Sequence, residues 1–458
     1  MKSEHNNILL ICNYFAPDNA IAAVRTTKLA KFFSEHGYKI DVLTEYFPEP
    51  RIEDRILADD AKKIKVYYAY PSKIRKKVGE VYSGLIRPIR EPRFNNVEKR
   101  THYDSATGVK SITTFQQYYP LIASLDYSVL LSKNKGLFKS AKDFLKSACN
   151  YDYCIASYGD YFGLLAGLYY KKCRPEVKLI TEFRDPVLQK KFTPKYFHKY
   201  AKRLEKSAYS SSNLIIAVTE QMINNIPMPY RKKAVCITNG YDINDRNYCV
   251  GKYKTEGKMT FCYTGLMYGG FRDISVIFKA VSELINEGLI FSEDIELVYA
   301  GPENGSQVFF EQAEKNNISY LCKYLGKVER IESLDLQSSS DILMLSTFDN
   351  KDDYSGAITG KALEYMTADK PVITVINGNI EKGAHELGII CNKANLGCVY
   401  YESADREDYI YLKGYILSQY HAFKSGGRVS HDPDSEYLKR FSYDNLTEKY
   451  IGYLEEIE

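Results

Sequence analysis

The run YSGAITGKALEYMTADKPVI, residues 354–373, gathers groups that could hold a phosphorylated ligand. Small residues lead into Gly360 and Lys361, a helix is expected to start there, and Glu364 falls about one turn in. The first N–H groups of a helix lack intrahelical partners and sit at its positive end, which suits a diphosphate. An ionised carboxylate only accepts hydrogen bonds, so Glu364 could take two from a ribose. On spacing alone an ordinary surface glutamate reads the same way. No G-x-x-x-x-G-K-[ST] run occurs, which excludes the phosphate loop of NTPases. Arg272, just after Gly269 and Gly270, offers a second cation beside Lys361, and either could dominate.

Further polar and glycine positions fall where apolar runs end: Gly265, Gly301, Gly326 and Ser346 in the second half, Arg184 and Asp185 in the first. Each glycine could simply make a tight turn, yet successive strands ending this way suggest a ligand edge. Other constellations fail on spacing. The seven histidines form no HExxH, the ten cysteines form no C-x-x-C, and no Ser-His-Asp signature appears. No metal or cofactor is expected, and the cysteines read as reduced thiols. Asp432-Pro433-Asp434 reads as a loop, and His385 as a helix cap or a group near a cleft.

The elements that must position these groups alternate. Residues 7–12, 38–44, 151–157, 177–181, 213–218 and 234–238 read as strands of a first half. Residues 259–265, 295–301, 320–326, 341–346, 371–376 and 398–402 read as strands of a second. Continuous apolar strands separated by helices predict parallel sheets with right-handed crossovers. The polar stretch up to Lys258 reads as an interdomain linker. Residues 71–131 break the alternation, with nine Lys or Arg and three Glu between Pro71 and Arg100. Ile74, Val78, Tyr82 and Leu85 make this a basic amphipathic segment: a cover over the cleft, or a contact with anionic lipid. With 458 residues the chain should hold at least two domains, and a formal net charge of +4 argues against bulk nucleic-acid binding. No run reaches the length of a membrane span. Tyr stands at 41 and Trp at zero, a bias without a functional account at this level.

The chain resembles the retaining glycosyltransferases of family 4, which have the GT-B fold. GKALEYMTADKPVI is similar to the family's GK-hydrophobic-x-EY run, and ILLICNYFAPDNAIAAVRTTKLAKFFSEHGYKIDVLT to its opening strand, small-residue loop and helix. LITEFRDPV, VCITNGYD, YTGLMYGGFRD, LVYAGPE, YLGKVER and the final FSYDNLTEKYIGYL follow in the family's order, while residues 70 to 140 are unmatched. Two departures stand out. Gly356 replaces a glutamate that usually contacts the donor sugar, and the usually glycine-rich first loop carries Ala20, Ala22 and Ala23.

The resemblance implies an α/β chain of two facing Rossmann-like domains, at residues 1–245 (acceptor side, with an insertion at about 70–140) and 246–435 (nucleotide-sugar side). A C-terminal helix at 436–458 packs back on the first. It implies metal-independent transfer of a sugar, with retention, from a nucleotide diphosphate sugar to a hydroxyl of a carbohydrate or lipid-linked acceptor in surface polysaccharide or glycoconjugate synthesis. Arg184, Asp185, Arg272 and Lys361 would serve catalysis. Gly265, Arg272, Gly301, Gly326, Val328, Ser346, Gly360, Lys361 and Glu364 would hold the donor, and Ala22 and Arg25 would lie on the acceptor side. The expected setting is the cytoplasm, at the inner face of a membrane touched peripherally, with no nucleic-acid partner. Rival readings are a nucleotide-sugar epimerase, a phosphorylase, or a non-catalytic scaffold of the same fold.

Overall fold

The computed structural model describes residues 7–46, 53–71, 102–103, 110–111, 120–188, 193–267, 272–347 and 360–457. The basic segment Lys73 to Arg100, Gly269-Gly270 and Gly356 lie outside them. The chain divides into two compact units, one of residues 1–51, 60–237 and 447–458, the other of residues 52–59 and 238–446. Both are Rossmann-like, built on parallel sheets of seven and six strands.

The first unit contains β1 (Asn7–Ile11), β2 (Lys39–Glu45), β3 (Lys65–Ala69), a two-stranded hairpin of β4 (His102–Tyr103) and β5 (Lys110–Ser111), then β6 (Tyr153–Tyr158), β7 (Lys178–Phe183), β8 (Leu214–Ala217) and β9 (Ala234–Cys236). The sheet runs β3-β2-β1-β6-β7-β8-β9, so strand order reverses between β1 and β6. Its central strands are apolar because helices cover both faces. The helix Ile21–Glu35 ends before Gly37, whose φ of +89° closes the turn into β2. The helix Pro120–Ser147 overlaps the expected insertion yet belongs to the core. Its Leu137, Ala141 and Leu145 recur every four residues and pack with Leu9, Ile11 and Cys154.

The second unit contains β10 (Met259–Thr264), β11 (Ile295–Ala300), β12 (Cys322–Tyr324), β13 (Ile342–Thr347), β14 (Val372–Ile376) and β15 (Gly397–Tyr401). They lie in the order β12-β11-β10-β13-β14-β15, all parallel, with the reversal between β10 and β13. Ligands of such sheets bind beyond the strands' carboxyl ends, near that reversal. Helices Ser275–Asn286, Glu303–Glu314 and Asp405–Gly426 cover one face. Helices Arg330–Ser339, Gly360–Ala368 and Glu386–Lys393 cover the other.

Three expectations change. The stretch read as a linker is anchored: the Val250, Gly251 and Lys252 N–H groups donate to the Asp335 carboxylate at 2.5, 2.7 and 2.9 Å. Strand β3 escaped the sequence reading because it is an edge strand that is mostly not buried. The expected strand at residues 320–326 is a 3₁₀ turn, Ser319–Leu321, followed by the three-residue edge strand β12. Among the described residues no helix is long and apolar enough to cross a membrane.

Candidate functional site

Three strands of the second unit end in the same way. Tyr263, Tyr299 and Tyr324 are register partners across β10, β11 and β12, and their rings stack at 6.1 and 5.8 Å. Each is followed two residues later by a glycine: Gly265, Gly301, Gly326. The hydroxyls bind the glycine edge, since Tyr299 donates to the Gly265 carbonyl (2.8 Å) and Tyr324 to the Gly301 carbonyl (3.0 Å). The Gly265 N–H donates to the Ala300 carbonyl and the Gly301 N–H to the Gly326 carbonyl. The sequence carries this repeated Tyr-x-Gly, but its meaning needs the strand register.

Lys361 enters this edge from the first turn of the helix Gly360–Ala368. That helix is seated by the fully buried Tyr365, whose hydroxyl donates to the Met344 carbonyl (3.2 Å) and accepts from the Thr264 N–H (3.3 Å). The Lys361 ammonium lies 4.0 Å from the centre of the Tyr263 ring, an attractive placement for a cation over an aromatic face. Its stem runs over Gly265, where a side chain would meet Lys361 Cε at 2.9 Å and where φ is +87°. The Leu266 carbonyl accepts from three donors: the Tyr263 hydroxyl (3.1 Å), Lys361 Nζ (3.3 Å) and Arg272 Nη1 (3.4 Å). A carbonyl has two lone pairs, so three donors oversubscribe it. Burial first, and then the charge of Arg272, pushes the Lys361 ammonium well below the ordinary lysine value, with Glu364 acting the other way. Two cations thus meet where an anion would relieve both.

Glu364 sits in a second cluster. Its Oε1 accepts from Arg330 Nε (3.2 Å), while Arg330 Nη2 donates to Asp245 (2.8 Å) and Nη1 to Asp54 (3.5 Å). Burial disfavours the guanidinium, and Glu364, Asp245 and Asp54 more than offset it, so its pKa stands above the usual arginine value. Among the described residues the Glu364 carboxylate makes no other hydrogen bond. Arg330 was missed at the sequence level, since nothing local marks a partner on another helix.

The expected donor residues therefore separate. Gly265, Gly326, Gly360, Lys361 and Arg272 come together at the carboxyl ends of β10 to β12 and the adjoining helix start, Glu364 stands one turn along that helix in the Arg330 cluster, and Val328 packs at the margin of the core. Gly301 and Ser346 do not open to a ligand. A side chain at Gly301 would collide with the Tyr299 hydroxyl, so this glycine makes room for an internal group. Ser346 is fully buried, its hydroxyl donating to Asn377 Oδ1 (2.7 Å) and lying 3.3 Å from the Asp273 carbonyl. His385 caps the helix Glu386–Lys393 by accepting from the Leu387 N–H (3.2 Å), and burial lowers its pKa to about 4.

In the first unit, Arg184 donates from Nη1 to the Ala22 carbonyl (2.6 Å), tying the end of β7 to the start of the first helix, and Asp185 beside it is exposed. Arg25 is 1% exposed, which corrects its acceptor-side placement. It donates from Nε (3.0 Å) and Nη2 (2.8 Å) to Glu182 Oε1, and to the Ile237 carbonyl (3.0 Å). Burial alone would raise the pKa of Glu182, but Arg25 and a hydrogen bond from Ser157 hold it below the carboxylate norm. The pair joins helix to sheet and faces no solvent.

No protein-family model matches the chain, and no curated protein does. Several solved structures share its fold at low identity. The E. coli trehalose-6-phosphate structure bound with UDP-2-fluoro glucose is 12% identical, with 98% of each chain covered and a TM-score of 0.59. The sucrose-phosphate synthase of Thermosynechococcus elongatus is 11% identical, with 99% of each chain covered and a TM-score of 0.53. The apo form of the lipopolysaccharide outer core galactosyltransferase WaaB is 11% identical, covering 98% of this chain and 99% of its own, with a TM-score of 0.51. These likenesses show the GT-B fold.

Proposed function

We propose that this chain is a glycosyltransferase that moves a sugar from a nucleoside diphosphate sugar to a hydroxyl acceptor. The observation that carries the reading is the crowding of Lys361, Arg272 and the Tyr263 hydroxyl on the Leu266 carbonyl, at the carboxyl edge of the second sheet. A diphosphate arriving there takes over the two cations and leaves the carbonyl with a donor it can satisfy. The fold supports this reading. Among the structures that share it, one carries UDP-2-fluoro glucose and two are named as a sucrose-phosphate synthase and a galactosyltransferase.

The residues then divide the work. Lys361 and Arg272 neutralise the charge that grows on the diphosphate as the glycosidic bond breaks, aided by the positive end of the helix that Gly360 opens. Arg330 fixes Glu364, whose carboxylate accepts the ribose hydroxyls, and the backbone from Gly326 to Val328 lines the base. Arg184 and Asp185 serve the transferred sugar. Front-face attack with retention, no metal requirement, a carbohydrate or lipid-linked acceptor in glycoconjugate synthesis and a place at an inner membrane face complete the proposal. They rest on the resemblance of the sequence motifs.

Thermal-shift measurement with UDP, GDP and their sugars tests it, followed by assay of sugar transfer or release with whichever nucleotide stabilises. One nucleotide family should raise the melting temperature, by the equivalent of about 2.7 kcal/mol at a hundredfold excess over Kd. Glu364→Ala should weaken nucleotide binding, and Arg272→Ala should lower turnover at saturating donor. If no nucleotide stabilises the protein, or both variants keep wild-type kinetics, the proposal falls.

A further inference from the structure

The helix Asp405–Gly426 of the second unit leaves one side uncovered. It buries Asp408, Leu412, Ile416, Gln419 and Tyr420. Beside these, Lys413 ties it to the helix Ser275–Asn286 through Glu283 (3.1 Å) and Glu287 (2.6 Å). On the opposite side Glu407, Ile410, Gly414, Leu417 and His421 follow one another at steps of three, four, three and four, so they form a single stripe. All are exposed except Leu417, which is half-buried. A surface helix ordinarily turns polar residues to water. Here Ile410 is 67% exposed and the adjacent Tyr411 60%. Between them and His421 lies Gly414, which costs helix stability and has nothing within 4 Å to make room for. The charges of the exposed side divide by end. Glu402, Asp405 and Glu407 stand at the start with one base, Arg406, whereas His421, Lys424 and Arg428 stand at the end, and no acid occurs between Tyr409 and His431.

We propose that two copies of the chain pair along this stripe, helix against antiparallel helix, about a two-fold axis at Gly414. A two-fold contact sets each residue against the one equally far beyond the axis in the other copy. Glu407 then meets the partner's His421, Ile410 meets the partner's Ser418, and Tyr411 meets the partner's Leu417. Gly414 meets itself, and the missing side chain lets the two backbones approach. The acidic end of each helix lies on the basic end of the other, twice over, with the two helix dipoles opposed as well. A parallel pairing would set acid on acid and base on base. This self-complementarity, in charge and in the placing of the glycine, favours a second copy over an unrelated protein. The inference goes beyond the donor reading and is tested without nucleotide.

The test is sedimentation equilibrium of the full chain from about 1 to 300 µM, which brackets the Kd of about 10 µM that an interface of one helix per copy suggests. Gly414→Arg sets two guanidinium groups against each other at the axis and should raise Kd at least about thirtyfold. The open space around Gly414 lets the fold accept the new side chain, so its circular dichroism and denaturant midpoint should not fall. Tyr320→Arg, at a ring 66% exposed elsewhere on this unit, is the control and should dimerise like wild type. Glu407→Arg and His421→Glu should each weaken the dimer about tenfold, and the two together should restore it. Positions 407 and 421 lie about 21 Å apart along one helix, so that rescue can act only between copies. A chain that stays monomeric throughout the range, a dimer that Gly414→Arg leaves intact, an equal loss in Tyr320→Arg, or a double charge reversal without rescue would each overturn the proposal. None of these outcomes bears on nucleotide binding.

Discussion

Burial, and after it the neighbouring guanidinium of Arg272, disfavours the charged form of Lys361 and lowers its pKa. The direction has two consequences. In the free protein the fold favours the neutral amine, so this lysine's contribution to stability rises as pH climbs from its folded pKa toward the unfolded value of 10.5. A bound diphosphate reverses the balance and raises the pKa, so at pH values between the free and bound pKa binding takes up a proton. Nucleotide affinity should therefore be full below the folded pKa of Lys361 and fall as pH rises through it. Titration calorimetry in buffers of different ionisation enthalpy reads the proton directly. Lys361→Met should abolish the uptake and weaken binding at neutral pH by about 2 kcal/mol, a charge-assisted hydrogen bond's share. Arg330 gives a second prediction. Arg330→Gln leaves Asp54, Asp245 and Glu364 crowded without their cation and should cost about 3–5 kcal/mol in urea denaturation. Arg330→Lys, keeping the charge without the fork, should fall between.

At the scale of elements, glycines matter for what lies under them. Gly305, in the helix Glu303–Glu314, has the Tyr299 hydroxyl directly where a Cβ would go, and Gly388 meets the Tyr401 hydroxyl in the same way. Tyrosines reaching up from β11 and β15 thus seat helices on the sheet, which gives part of the tyrosine-rich composition a structural role. Gly414, exposed in the helix Asp405–Gly426, has nothing within 4 Å. The same substitution should then act in opposite senses. Gly305→Ala should destabilise by about 1–3 kcal/mol through overpacking. Gly414→Ala should stabilise by about 0.5–1 kcal/mol through helix propensity. Denaturant midpoints decide. Such distinctions show what was legible in the sequence. Central strands such as β1, β7, β10 and β13 stand out as continuous apolar runs because both of their faces are buried. The edge strands β3 and β12 lack that signature. The approach of Lys361 to Arg272 joins a helix start to a strand end, both of which the sequence marks locally. The Arg330 partnership and the burial of Ser346, Gly301 and Arg25 depend on contacts between distant segments, which no local pattern encodes.

At the scale of the whole molecule, the chain's last segment returns to where it began. The helix Tyr443–Glu456 starts among residues of the second unit, but from Thr447 onward it belongs to the first. There Tyr450 and Leu454 are fully buried, and the Tyr450 ring meets Phe33 edge-on at 5.3 Å. Two substitutions at Tyr450 separate the ring's packing from its hydroxyl. The Tyr450 hydroxyl is buried with no hydrogen-bond partner among the described residues, and burial, with Glu182 next, raises its pKa well above normal. Tyr450→Phe removes an unsatisfied polar atom and keeps the ring, so stability should hold or rise slightly. Tyr450→Ala empties a ring-sized space and should cost about 3–5 kcal/mol. Two units need not melt together, so a single melting temperature is a poor readout. Hydrogen exchange by mass spectrometry resolves them. In Tyr450→Ala, protection should fall in β1, β6 and β7 and stay unchanged in β10, β11 and β13. An equal fall in both sheets would mean that the C-terminal helix holds the whole chain together rather than completing the first unit's core.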